Sequence, residues 1–217
     1  MRRWLSRLTL LRLALPGCRS PPNADARFWH WFERNSARLL QSEAGQDPLL
    51  DELHQELLKA HPGLTFELGP LSDGHRELAI SVDGTGRRFT SVKTLVAAAP
   101  ALPGWRVVAF RRRKGADFAI TLGKVTLKPE DVWFRAETQP RQPVEVSVYL
   151  NGFTEDDRPY FSLAAYLVLD DVLGEYDVET KVGGIGFEAF PKNPVESGLR
   201  PIAELAAVVD GNFAPEP

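Results

Sequence analysis

The sequence predicts an α+β fold, a mostly antiparallel sheet with helices packed on one face as a two-layer sandwich. Three observations predict it. Apolar and polar residues alternate with period two in several short segments between residues 64 and 150. Segments with apolar residues at i, i+3 and i+4 lie before, among and after them. The 17 prolines and 17 glycines fall largely between these segments and join most strands by turns rather than by crossover helices.

Each element has its own signal. Ala26–Gln41 reads as a helix, with Phe28, Trp31 and Phe32 on one face and Asp25 as N-cap. Asp47–Ala60 reads as a second, with Asp47 capping, Pro48 at its first position and Leu50, Leu53, Leu57 and Leu58 as its stripe. Leu64–Leu68 and Arg76–Val82 alternate as strands around the turn Gly69–Gly74. Phe89–Ala99 is helical in pattern and is stopped by Pro100 to Gly104. The strands Trp105–Arg111, Phe118–Leu122, Lys124–Leu127, Val132–Glu137 and Val144–Leu150 follow. Tyr160–Leu173 is the longest apolar helix, Val182–Phe190 a glycine-bearing strand and Pro201–Val209 a final helix. Each half of the chain thus holds a strand group and a helix, a faint internal echo.

With 217 residues, 43% hydrophobic and 25% charged, the chain can bury a real core, and one domain over 25–213 is expected, with a loose tail at 214–217. The net charge of −3 hides an asymmetry. Residues 1–114 carry 18 Lys/Arg against 11 Asp/Glu, and residues 115–217 carry 8 against 18. Five of the basic residues lie in the first twenty positions, so the folded part is mildly acidic and no nucleic-acid partner is expected. Cys18 is the one cysteine, which excludes an intrachain disulfide and a cysteine zinc site and fits a cytoplasmic setting.

Residues 1–24 form a basic, leucine-rich leader. Arg7 and Arg12 interrupt the apolar run that a secretory signal needs, and Pro16 is badly placed for a lipoprotein cleavage box at Cys18. Leu8, Leu11 and Leu15 share a helical face, which suits a membrane-surface helix. A disordered extension, or a start placed too early, is the favoured reading. No stretch is apolar and long enough to span a membrane.

Several short motifs resemble a widespread bacterial family, the domain of unknown function numbered 695. They are Phe28-Trp29-His30-Trp31-Phe32, Glu77-Leu78 with Ile80 and Asp83-Gly84, Ala98-Ala99-Pro100 through Pro103-Gly104-Trp105, and Leu169-Asp170 with Leu173-Gly174-Glu175. They span most of residues 27–190. The resemblance implies a bacterial setting and a shared fold. It implies no activity and no catalytic residue.

No pattern points to a catalytic constellation. None of the serines sits in a G-x-S-x-G elbow, and Gly183-Gly184-Ile185-Gly186 lacks the strand-to-helix context of a dinucleotide loop, reading instead as a bulge or close backbone approach. His30, His54, His61 and His75 lack ligand spacing. Two groups remain. Trp29 and His30 flank the apolar face of the first helix and are expected to be exposed, as a partner anchor. Asp170, Asp171 and Glu175 cluster at the end of the long apolar helix, where Asp171 and Glu175 would share a face and could hold a divalent cation. Acids at a helix C-terminus oppose its dipole, so a basic group must offset them. Arg111-Arg112-Arg113-Lys114 reads as a phosphate contact or a solvated turn. The expected function is binding or regulation without catalysis and without a cofactor, with the acidic C-terminal half or a sheet face offered to a protein partner. The alternative is a metal-dependent enzyme or ligand binder at the acidic group.

Overall fold

The polypeptide in the computed structural model is described over residues 23–42, 47–82 and 88–214. The leader, Cys18, Asp83-Gly84 and the tail beyond Ala214 lie outside the described residues. The N-terminal half opens with α1 (Ala24–Leu40) and α2 (Pro48–Ala60). Asp47 caps α2 as expected, accepting from the Leu49 N–H at 2.9 Å, with Pro48 in the first turn. The cap of α1 is Asn23 rather than Asp25. Asp25 lies in the first turn and pairs with His61 at 2.7 Å.

β1 (Leu64–Leu68) and β2 (Arg76–Val82) form the expected hairpin, with Leu64 opposite Val82 and Leu68 opposite Leu78. The next joint differs. α3 (Phe89–Ala97) crosses over the sheet and returns the chain as β3 (Trp105–Ala109), parallel to β2. The C-terminal half begins with a separate small hairpin, β4 (Ile120–Leu122) and β5 (Val125–Leu127). β6 (Val132–Glu137) and β7 (Val144–Leu150) pair antiparallel. Two helices, α4 (Arg158–Leu173) and α5 (Glu175–Lys181), lead to β8 (Val182–Ala189), which lies parallel to β7. β9 (Arg200–Pro201) adds to β6, and α6 (Leu205–Phe213) ends the described chain.

The class is therefore α+β, and four of the six strand pairings are antiparallel. Among the described residues the single sheet expected from the sequence is replaced by three sheets, ordered β1-β2-β3, β4-β5 and β8-β7-β6-β9. The cause is that the two helical connections, expected to leave the sheet mostly antiparallel, return the chain parallel to the preceding strand. Each half contains the same unit: a hairpin, a helical crossover, and a third strand parallel to the second. Each half also has its own apolar core. One gathers Phe28, Phe32, Leu53, Leu78, Ile80 and Leu95, and the other Phe134, Val148, Leu150, Val168, Ile202 and Leu205.

α4 is the helix on which the second core is built. Its buried side carries Phe161, Ala164, Ala165, Val168, Leu169 and Val172. The small residues Ala164 and Ala165 let it lie close to the inner sheet face of Val146, Val148 and Leu150. At β8 the register with β7 shifts between Val144 and Val146, which is the bulge the glycines implied. The extra backbone N–H, at Gly184, donates to the Glu145 carboxylate at 2.7 Å. A Cβ at Gly183 or Gly184 would collide with that carboxylate.

One buried cation fixes the N-terminal half. Arg76 is buried and faces carbonyls rather than a carboxylate. It donates to the carbonyls of Leu39 (3.1 Å) and Ser42 (2.6 Å) at the C-terminal end of α1, and of Gly69 (2.8 Å) in the hairpin loop. The negative end of the helix dipole supplies the countercharge. Arg76→Met leaves these acceptors unpaired and is expected to destabilise the fold by about 3 kcal/mol in urea titration. Arg76→Lys recovers only part of that, because an ammonium cannot span three divergent carbonyls.

Candidate functional site

The acidic group singled out in the sequence sits where the two halves meet. α4 ends at Leu173, and Gly174 (φ 81°) turns the chain directly into α5. The expected shared face of Asp171 and Glu175 therefore does not form, because the two residues belong to different helices. Glu175 is only 3% exposed. Its Oε1 accepts from the Val82 N–H at the end of β2, and its Oε2 accepts from the Arg111 N–H just past β3, both at 3.0 Å. The Glu175 N–H donates in return to the Arg111 carbonyl at 3.1 Å. Asp170 pairs with the Arg111 guanidinium at 3.2 Å, and Asp171 with Lys114 at 3.2 Å. Lys114 also reaches Glu67 on β1 at 2.8 Å. Arg113 donates to the Leu173 carbonyl and pairs with Asp177 and Asp210.

The basic run 111–114 and the acidic group are thus partners. The basic groups needed to offset acids at the end of α4 are Arg111 and Lys114. The three carboxylates diverge, and among the described residues no group of three or more His, Cys, Asp or Glu is placed to hold a metal ion. Burial raises the Asp170 carboxyl to about 6, against the opposing pull of Arg111 and with Glu175, Asp171 and Glu179 adding to the rise. Beside the joint an open groove of about 480 Å³ runs between Glu67, Glu77 and Ala79 on one wall and Arg111 to Lys114 on the other. Its acids and bases already face one another across it.

An aromatic cluster closes the same joint. Phe110 takes a left-handed conformation (φ 68°), which ends β3 two residues earlier than the sequence pattern implied. That costs on the order of 1 kcal/mol for a non-glycine residue. Its ring is buried between Phe89 of α3, 4.2 Å away centre to centre, and Tyr176 of α5, at 5.4 Å.

The proposed partner anchor is corrected at one of its two residues. Trp29 is buried, at 3% exposure, because α3 packs against that side of α1. Its Nε1 donates to the Leu95 carbonyl at 2.8 Å, and its ring meets Phe28 and Phe32 edge-on. The buried face of α1 is Phe28, Trp29 and Phe32, while Trp31 is only half-buried. His30 is exposed, as expected.

A surface that the sequence did not reveal lies on the opposite side of α4. Three of the six exposed large hydrophobics among the described residues fall on this one helix: Tyr160 (48% exposed), Leu163 (54%) and Tyr166 (44%). They stand three residues apart and form a stripe along its outer side. Tyr160 lies over Gly123 in the β4–β5 turn. Tyr166 meets Phe187 of β8 edge-on, with ring centres 5.4 Å apart. The stripe therefore runs from the small hairpin to the open edge of the four-stranded sheet. The only sequence signal was that α4 is apolar around its whole circumference, a pattern that usually means burial on all sides.

No family model matches the chain, and no curated protein matches it. Among the described residues no helix is long and apolar enough to cross a membrane.

Two outcomes follow from the joint. Glu175→Ala strips the countercharge from Arg111 and the acceptor from two backbone N–H groups, and is expected to cost about 3–5 kcal/mol in denaturant titration. For Asp170 the folded state holds its proton to a higher pH than the unfolded chain does. Its contribution to stability is therefore fully present below about pH 4 and is lost as pH rises to about 6. Asp170→Asn should flatten the stability profile across that window, as read from unfolding midpoints at successive pH values.

Proposed function

We propose that this protein works by binding another protein through its C-terminal half, and that it does so without a chemical step of its own. The exposed apolar stripe of α4 carries the reading. Scattered surface hydrophobics are ordinary. A contiguous set with two tyrosines, continuous with a half-buried phenylalanine and the edge of a sheet, is the composition of a recognition surface. The acidic group at Asp170, Asp171 and Glu175, which was the sequence's best candidate for metal-assisted chemistry, is engaged by Arg111, Lys114 and backbone N–H groups. Its role in this reading is to hold the two halves together.

The test is site-directed photo-crosslinking in the cells that make the protein. A benzophenone amino acid at Leu163 is expected to give a discrete adduct of higher mass. The same group at Arg106, exposed on β3 of the other half, should give none. Equal, diffuse labelling from both positions, or no adduct at Leu163, would refute the reading.

A further inference from the structure

The geometry points to a specific kind of partner: an extended segment of another protein, alternating apolar and basic residues, that adds as a strand to the open edge of β8. The inference rests on the binding surface proposed above and names what that surface takes.

Among the described residues β8 pairs with β7 on one side only and is the outermost strand of its sheet. Six of its eight residues, Gly183, Gly184, Ile185, Gly186, Phe187 and Glu188, span its middle, and none is lysine or proline, the residues that usually guard an edge. In a strand paired on one side, every second residue turns its N–H and C=O toward the free side, where an incoming strand can pair with them.

The two faces of this edge differ in chemistry. Val146, Val148 and Leu150 of β7 point into the core, and their neighbours in register on β8 are Ile185, Phe187 and Ala189. Beyond that row stands Tyr166 of α4, against Phe187, with Leu163 next to it on the same exposed stripe, so the inner side of an added strand would lie on apolar surface. The outer face is acidic. Glu188 lies beside Tyr149, and Glu137 and Glu145 stand directly opposite each other on β6 and β7. Like charges in that position repel. Arg135 shares this face and is engaged there: it donates to the Ser197 carbonyl at 2.7 Å and lies over the Tyr149 ring. Arg158 acts on Glu188 from the α4 side and is itself held by Glu155 at 2.6 Å. Between the acids, Gly184 and Gly186 present no side chain. An open trough of about 390 Å³ runs over them, walled by Glu137, Glu145, Ser147 and Arg135. Long cationic side chains from the outer side of an added strand would fill it.

Charge also decides against a second copy of this chain as the occupant. Antiparallel pairing of two β8 edges about Gly186 would set each Glu188 opposite Gly184 of the other copy, beside its Glu145. That brings acid toward acid, and the nearby cations are already engaged, Arg158 by Glu155 and Arg135 by the Ser197 carbonyl.

The probe is a fluorescent synthetic peptide of strictly alternating valine and lysine, as long as β8, titrated by anisotropy against the full chain. It is expected to bind, and to weaken severalfold when salt rises from about 0.05 to about 0.5 M. A valine–glutamate peptide of the same length should not bind. Leu163→Asp, on an exposed position that folding does not need, is expected to weaken binding about tenfold or more. Glu188→Lys should weaken it about threefold to tenfold. No binding of the valine–lysine peptide, equal binding of both peptides, or indifference to both substitutions would overturn the inference. So would a dimer in sedimentation that Leu163→Asp dissolves, which would make the edge a self-association site. An adduct at Leu163 in cells without binding of the valine–lysine peptide would leave the protein-binding reading standing and remove only this account of the partner.

Discussion

The Glu175 carboxylate is the contact on which the rest of the arrangement depends. β2 and β3 are parallel neighbours, and at their C-terminal ends the ladder leaves the N–H groups of Val82 and Arg111 without strand partners. One carboxylate from the other half of the chain accepts from both. Because the acceptor is ionised, these bonds are stronger than amide pairs. Because it is buried, they hold only if its charge is matched, and the Arg111 guanidinium lies against it, with Nε 3.5 Å from Oε2. The reciprocal bond from the Glu175 N–H to the Arg111 carbonyl fixes the angle of approach. Gly174 permits that approach, because its φ of 81° lies in the left-handed region that suits glycine.

This clamp explains the charge asymmetry of the sequence. Four basic residues of the first half stand together at 111–114, and the acids that meet them in the second half are Asp170 and Asp171 on α4, Glu175 and Asp177 on α5, and Asp210 on α6. Several exposed pairs of this kind each contribute little. As a network around one buried carboxylate they act in concert, since Arg113 is shared between two acids and Lys114 between Glu67 of one half and Asp171 of the other. The strained backbone at Phe110 belongs to the same joint, held in place by the burial of its ring between helices from both halves.

Local pattern made most elements legible, and pairing between them was much less so. The alternation at 64–68, 76–82, 132–137 and 144–150 marked strands to within a residue, because each carries apolar side chains at every second position. The cap at Asp47 was legible because Pro48 follows it. Parallel pairing was not legible, since β3 and β8 look alike as strings whichever neighbour they take, and a nine-residue helix is a short crossover to infer. α5 was missed for a plain reason: seven residues with few apolar side chains carry no periodic signal. Trp29 was misplaced because a helical wheel cannot know that α3 widens the buried face of α1. The acids of the joint were found, and so were the bases. That they face each other was written only in the opposed charges of the two halves.

The edges of the sheets give the last step. β9 is two residues long and ends in proline, so it offers little to pair with. β3 stops at the left-handed Phe110 and gives way to four consecutive cations. β1 is five residues long, with Glu67 tied to Lys114. Each is short, kinked or charged, which are the usual protections against adventitious strand addition. In β8 these protections are weak. Its bulge is confined to its first residues, its one charge is acidic, and the adjoining helix turns Leu163 and Tyr166 toward solvent instead of covering them. A chain that guards three of the four edges of its two larger sheets and leaves the fourth both unguarded and flanked by apolar side chains has a surface that solvent alone satisfies poorly. The cheapest way to satisfy both the free backbone groups and the exposed rings at once is a strand from elsewhere.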